Sequence, residues 1–358
     1  RAPRNAVRPE DHMRISTLRK ILVAAVTAAV ALALLGGSPA TAAGGFGNTA
    51  AGTVFFPNPV TQTGDESLVD AKDADLPAFA SSYKRVTLTN LDSSGTLTGQ
   101  WVRVKSNTGT AARTVGGSFP DWHRNVDQFE QVMGYYWVTQ AHHYLESLGF
   151  GSTLPAVNNR QIELRIDQFG GDNSFFKGNK ANITFGKGGV DDAEDAEVIV
   201  HEYGHSVQDG QVPGFGTNLE SGSIGEGFSD YLSVAVTDFV AGVPTLTPEA
   251  CVADWDSVSY TRGPVHCLRR LDGTKHYPED VVGEVHADGE IWSSALYAMR
   301  GALGATKADR IIVDAQFDFA VDTSFRAAAQ ATVAAAQRLY GTGAAGAVSK
   351  AFSDRGLL

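Results

Sequence analysis

The chain has 358 residues, of which 43% are hydrophobic, and a formal net charge of −11 at pH 7. This apolar content supports a folded core, and the length accommodates one large or two ordinary domains. The negative charge argues against nucleic acids and anionic membranes as partners.

The N-terminal segment has the pattern of an export signal. Residues 1–12 are polar and precede Met13, which is typical of translated upstream sequence or a misplaced start. Residues 13–43 combine a basic start, an apolar stretch too short to favour a membrane-spanning helix, and small residues for cleavage at 40–42 or, one residue later, 41–43. We therefore expect a secreted protein without a lipid anchor, since no cysteine lies near the cleavage motif.

The region after this signal reads first as strands and then as a long helix. Alternating apolar and polar residues between turn-rich stretches predict strands on both sides of that helix. The predicted strands are 53–56, 83–88, 100–104, 161–166 and 182–185. Apolar residues at helical spacing predict the helix over about 125–148, with His142 and His143 at its surface or edge.

Acidic residues cluster in two places. The first group lies in a predicted loop, where we interpret the side chains as solvated: Asp65, Asp70, Asp73 and Asp75. The second group begins the next predicted helix, where negative charge suits the helix dipole: Asp191, Asp192, Glu194, Asp195 and Glu197.

That next helix carries the pattern HExxH at residues 201–205. Residues four apart share a helix face, so His201 and His205 can bind one metal ion. Glu202 lies about 100° around the helix, where it could take a proton from a zinc-bound water. A surface helix with two solvated histidines would show the same pattern, but the apolar run 198–200 indicates a half-buried helix.

A catalytic zinc needs a third protein ligand, and Glu226 is the best placed residue. It follows the second histidine after 20 intervening residues, enough for a breaker-rich loop, 209–216, and a return helix that begins near 223–225. Asp230 lies four residues after Glu226 and shares its face. There it can accept a hydrogen bond from the free ring N–H of a zinc-binding histidine, and His201 is the favoured partner. The HExxHxxGxxH alternative is absent, because glutamines stand in its glycine and third-histidine places.

These segments resemble the gluzincin metallopeptidases, and among them the fungalysin and thermolysin-like families. Residues 219–230 resemble their glutamate helix, 129–150 the fungalysin helix before the active site, and 172–186 the edge-strand segment that binds substrate backbone. Residues 284–292 resemble the segment that holds the transition-state histidine. The likeness covers about residues 120–300 and implies one catalytic zinc.

The resemblance also assigns substrate-binding and transition-state residues. It implies that His286 stabilises the oxyanion and that Asn173 holds the substrate backbone. It implies that Arg269 holds a substrate carbonyl, with Arg270 and Arg262 as alternatives.

Two supporting positions depart from the family pattern. Thr217 stands at the place of a tyrosine that also binds the oxyanion, and Tyr203 or Tyr260 could replace that tyrosine. Val281 stands at the place of an aspartate that supports the transition-state histidine. The nearby alternatives for that aspartate are Asp280 and Glu284.

Two further features bear on stability and cofactors. Cys251 and Cys267 are the only cysteines and lie close together in the exported part, which predicts a disulfide, with two buried thiols as the alternative. Glu197 matches by position a calcium-binding aspartate of thermolysin, so calcium is a second cofactor to test.

We therefore predict an α+β fold of the two-lobed thermolysin-like type. A β-rich N-terminal lobe leads to the HExxH helix, a mainly helical C-terminal lobe follows, and the active-site cleft lies between them. The predicted organisation is an upstream extension at 1–12, a signal peptide at 13–43, a β-rich region at 44–118, a catalytic region at 119–240 and a helical lobe at 241–358. In that lobe we predict helices at 292–303 and 324–340 and a terminal tail at 341–358.

The predicted function is a secreted zinc endopeptidase that acts as a monomer on peptides or proteins and binds neither nucleic acid nor, after signal cleavage, membrane. A zinc aminopeptidase is one alternative, but it would need an acidic clamp for the amino terminus of its substrate. The other alternative is a non-catalytic secreted binding protein. Loss of Glu202 would have indicated such a protein, but Glu202 is present. No long propeptide is evident before the catalytic region, so we expect latency to be absent or controlled differently.

Overall fold

The computed structural model describes residues 46–106, 108–242, 245–263 and 265–358. The predicted upstream extension and signal peptide lie outside these ranges. None of the helices in the described ranges is both long and apolar enough to span a membrane.

The N-terminal part contains two sheets. Strand β1 pairs antiparallel with β2, and a four-stranded sheet has the order β3-β4-β6-β5, in which β5 is the antiparallel edge strand. The strands are β1 Asn48–Phe55, β2 Tyr83–Leu91, β3 Val102–Val104, β4 Ile162–Arg165, β5 Ser174–Lys177 and β6 Asn182–Phe185. All five strands predicted by alternation are present, because their apolar positions face the core, as Ile162 and Leu164 do in β4.

The C-terminal part is mainly helical, and the predicted α+β fold is confirmed. Counted over both parts of the described chain, the α-helices are α1 Pro59–Thr63, α2 Asp127–Ser147, α3 Ala196–Gln211, α4 Leu219–Ala241, α5 Val285–Leu303, α6 Ala305–Ala315, α7 Phe325–Tyr340 and α8 Thr342–Ser353. A short antiparallel pair, β7 Cys251–Val252 and β8 Arg269–Arg270, lies between α4 and α5. Where we predicted a terminal tail, α8 packs its buried Val348 and Phe352 into the core.

Helix α2 runs through the core and carries one residue whose predicted position was wrong. His142 is buried rather than at the surface. Its ring stacks on Trp101 with centroids 3.7 Å apart, and its Nδ1 lies 2.9 Å from the hydroxyl of Tyr203 on α3. Burial lowers the pKa of His142 to about 4, so the imidazole is neutral and joins α2 to the HExxH helix.

Close approach between helices places the HExxH helix beside the glutamate helix. A Cβ at Gly204 of α3 would lie 2.8 Å from Cα of Ser229 on α4, so only glycine allows this crossing. Helix α4 begins at Leu219, earlier than the predicted 223–225. The reason is a capping box, in which Asn218 accepts from Ser221 N at 2.8 Å and Ser221 Oγ accepts from Asn218 N at 3.1 Å.

The acids before α3 also differ from the prediction. The helix begins at Ala196, and only Asp195 caps it, accepting from Glu197 N at 2.9 Å. Asp191, Asp192 and Glu194 lie outside the helix and are buried. Their partners lie elsewhere in the interior, since Glu194 pairs with Arg124 Nη2 at 2.8 Å and Asp192 accepts a hydrogen bond from Ser174 Oγ.

The predicted disulfide is present. Cys251 and Cys267 are bonded, with their Cα atoms 5.2 Å apart, and the bond links β7 to the residues just before β8.

Replacing both cysteines by serine should lower the free energy of unfolding by about 3 kcal/mol, because the cross-link closes a loop of 16 residues. Urea denaturation of the double variant and the parent would measure this loss. Non-reduced digests of the parent should contain the cross-linked peptide pair, and two alkylatable thiols in the freshly folded protein would contradict the pairing.

Candidate active site

Three side chains converge where α3 crosses α4. His201 Nε2 lies 3.1 Å from Glu226 Oε2, and His205 Nε2 lies 3.5 Å from Glu226 Oε1. Ligand atoms of a tetrahedral zinc with bonds of about 2.0–2.1 Å stand about 3.3 Å apart, so this donor set fits zinc. Burial alone would raise the pKa of Glu226, but the two imidazoles lower it well below its usual range.

A second carboxylate fixes the orientation of the first histidine. Asp230, one turn after Glu226 on α4, lies 2.8 Å from His201 Nδ1. It also receives two hydrogen bonds from Arg269, from Nε at 2.6 Å and from Nη2 at 2.7 Å. Although burial opposes ionisation, Arg269 and His201 lower the pKa of Asp230 to about 2. The ionised Asp230 therefore holds the proton of His201 on Nδ1 and leaves Nε2 free to bind metal.

Glu202 lies at the floor of the same cleft. The residue is 6% exposed, and its Oε2 is buried with no hydrogen-bond partner among the described residues. Burial raises the pKa of Glu202, while His205 and His201 oppose that rise. A carboxylate with a free oxygen beside the predicted metal ligands is suited to take a proton from a water molecule.

His286 lines the same cleft from the first turn of α5. Its Nε2 lies 3.4 Å from Glu226 Oε2, and its Nδ1 lies 2.6 Å from Glu284 Oε1. Glu284 also caps α5 by accepting from the backbone N–H of His286 and Ala287. The acid that contacts His286 is thus Glu284, whereas Asp280 accepts from the backbone N–H of His276 at 2.7 Å.

The remaining predicted substrate-binding residues lie around this cleft, which has a volume of about 920 Å³. Asn173 lines it immediately before the edge strand β5, whose outer side is not paired in the sheet. Arg269 also lines it while holding Asp230. The alternative Arg270 instead pairs with Asp272 at 2.7 Å.

Of the two tyrosines considered as oxyanion donors, only Tyr260 lines the cleft. Its hydroxyl donates to Asp172 Oδ1 at 2.6 Å. Tyr203 is excluded because its hydroxyl is buried against His142. Thr217 is exposed and donates to the carbonyl of Val321 at 3.3 Å.

One feature of the cleft wall was not predicted. Asp192 and Asp256 line the cleft, and with Asp172 they bring three carboxylate oxygens within 4.8 Å of one another. These residues come from three separate segments, so no local pattern in the sequence indicates that they meet.

Similarities to known proteins cover part of this chain. Residues 214–357 match the family model described as thermolysin metallopeptidase, alpha-helical domain. Extracellular metalloproteinase mep of Aspergillus niger is 28% identical over 123 residues, which cover 30% of this chain and 18% of that protein. The protein of the same name from Aspergillus fumigatus is 29% identical over 126 residues, with the same coverage. The chain thus spans less than a fifth of the length of these curated relatives.

The fold is similar to that of a solved structure, the precursor of protealysin, a metalloproteinase from Serratia proteamaculans. The TM-score is 0.53 at 16% sequence identity, and the match covers 72% of this chain and 87% of the other. The sequence matches confirm the predicted resemblance to thermolysin-like and fungalysin-like metallopeptidases, and the structural match shows a similar fold.

Proposed function

We propose that this chain is a secreted endopeptidase that hydrolyses internal peptide bonds with one zinc ion held by His201, His205 and Glu226. The observation that carries the proposal is the convergence of these three donors with Glu202 and His286 on one cleft. The relatives from both Aspergillus species are named extracellular, which supports export.

The substrate is proposed to bind along the edge strand β5. The outer side of this strand offers backbone N–H and C=O groups to an extended peptide, which would add as a further strand. Asn173 would hold the peptide at the start of that strand, and Arg269 would offer its remaining N–H groups to a substrate carbonyl. The scissile bond then lies over Glu202 and the metal ligands.

Hydrolysis needs a proton to move from water to the leaving nitrogen. When bound, zinc polarises the scissile carbonyl and lowers the pKa of water. Glu202 accepts the proton of the attacking water at its free Oε2 and then donates it to the leaving amine, so the carboxylate is regenerated. With protons on both ring nitrogens, His286 donates from Nε2 to the oxyanion and from Nδ1 to Glu284, which keeps the ring in that orientation.

The proposal is tested with the purified chain and an unstructured protein substrate. Cleavage should stop with a zinc chelator and return when zinc is restored. An N-acetylated peptide should be cut at internal bonds. Cleavage only of substrates with a free amino terminus would favour an aminopeptidase, and no cleavage at full zinc content would contradict hydrolysis.

Replacing His286 by alanine should lower kcat by about 10²–10³-fold, the effect of losing one oxyanion donor, with zinc content and KM nearly unchanged. Glu284→Gln should lower kcat less, since the ring keeps its donor and loses only its orientation. Steady-state hydrolysis of an internally quenched peptide would measure both.

His276→Ala is the matched control, because His276 is an exposed histidine outside the cleft lining. It should keep the parental rate. A normal rate in His286→Ala would move the oxyanion role to Tyr260, the tyrosine that lines the cleft.

A further inference from the structure

A second group of acidic side chains meets away from the cleft. Glu130 comes from α2, Asp167 from the turn after β4, and Asp191 from the segment before α3. One carboxylate oxygen of each lies within 4.8 Å of the others, and the residues are only 2%, 2% and 6% exposed. Three carboxylates are thus gathered in the interior from three separate elements.

Two oxygens of this group lack hydrogen-bond donors within the part of the chain that the structure describes. Glu130 Oε2 and Asp167 Oδ1 are fully buried and have no hydrogen-bond partner among the described residues. Two ionised carboxylates have no proton to share, so their contact is repulsive unless a proton or a cation lies between them. A buried acceptor left unpaired costs about 1–3 kcal/mol, and more when it is charged.

Nearby positive charge does not neutralise the group. Arg124 is bound to Glu194 and Asp70, at 2.8 Å and 2.6 Å. Burial raises the pKa of Asp167, and the positive charge of Lys187 opposes this rise without cancelling it. The carboxylates of Asp73 and Asp127 add further negative charge. Beyond the effect of burial, Asp73 raises the pKa of Asp191, and Asp73 and Asp127 together raise the pKa of Asp167.

We propose that Glu130, Asp167 and Asp191 bind one Ca²⁺ ion. The site is made of oxygen only, which suits a hard cation and not zinc or copper. Ca²⁺–oxygen bonds are about 2.3–2.6 Å long, so two oxygens on one ion stand at most about 5 Å apart, as the three carboxylates do. Mg²⁺ fits less well, because it retains several waters and this site is buried.

The ion would join three elements that position the catalytic helix. Asp191 begins the segment that leads through the cap Asp195 into α3, which carries His201. Glu130 and Asp167 would anchor that segment to α2 and to the four-stranded sheet. This site differs from the expected calcium position at Glu197, whose oxygens accept hydrogen bonds from Thr237 Oγ1 at 3.2 Å and from Ala253 N at 2.6 Å.

The test uses the full chain at a fixed zinc concentration, in buffer freed of calcium and then with Ca²⁺ added. Ca²⁺ well above its Kd should raise the Tm of the parent by about 5 °C, whereas equal Mg²⁺ should raise it less. Glu130→Gln and Asp191→Asn should equal or exceed the parent in Tm without calcium, because each removes one repelling charge. They should gain nothing from Ca²⁺ and bind one Ca²⁺ fewer per chain in equilibrium dialysis.

Glu146→Gln is the matched control, because it removes an exposed carboxylate from the same helix. It should keep the parental calcium response. A parent that binds no Ca²⁺, or binds it without a rise in Tm, would overturn the proposal and leave shared protons as the account of the cluster. Variants that keep the full response would also overturn it. If neither variant folds, the Tm response of Asp167→Asn to Ca²⁺ and the calcium content of the parent decide whether the cluster binds the ion. These readouts do not depend on peptide hydrolysis.

Discussion

Glu202→Gln should lower kcat by about 10²–10⁴-fold while leaving the fold and the zinc content unchanged. Glutamine keeps the shape of the side chain but cannot accept a proton from water. The loss should be large because Glu202 Oε2 has no other hydrogen-bond partner among the described residues and lies in the lining of the cleft. Rates of peptide hydrolysis at matched zinc content would measure it.

The control for this substitution is Glu146→Gln, which removes one negative charge from the surface of α2. It should hydrolyse the peptide at the parental rate. If Glu202→Gln also hydrolysed at that rate, Glu202 would not be the base and the proposed mechanism would be wrong.

His201→Ala and Glu226→Ala should each lose zinc and, with it, hydrolysis. Removing a partner that only orients a metal ligand costs about 10–100-fold in metal affinity, so removing the ligand itself should cost more. Asp230→Asn should fall in that smaller range, because Asp230 contacts His201 Nδ1 and not the predicted metal position. Metal analysis after dialysis at a fixed free zinc concentration would rank the three variants.

His143→Ala serves as the control for histidine loss, since His143 lies at the partly exposed face of α2 and pairs with Glu146. It should bind one zinc ion per chain, like the parent. Full zinc content in both His201→Ala and Glu226→Ala would show that the ligand assignment is wrong.

The parts of this protein that follow local rules were predictable from the sequence. His201 and His205 share a face because they are four residues apart on one helix. The alternation in residues 162–165 predicts a strand with one buried face. The pairing of Cys251 with Cys267 follows from there being only two cysteines in a chain with a predicted export signal. Each of these inferences depends on spacing or number alone.

The tertiary structure decided which distant side chains meet. The pairing of His286 with Glu284 is not one of these contacts, because Glu284 is the N-cap two residues earlier, where α5 begins. The choice of Tyr260 over Tyr203 depends on burial, which places the hydroxyl of Tyr203 against α2.

The acids before α3 show the same division. The sequence shows their charge and suggests that they interact with the dipole of α3. In the structure, however, Asp191 lies beside Glu130 and Asp167, which are 61 and 24 residues away along the chain. Residue periodicity reports the geometry of one element. Which carboxylates become neighbours depends on the packing of α2, the sheet and the segment before α3, and that packing is set by the whole core.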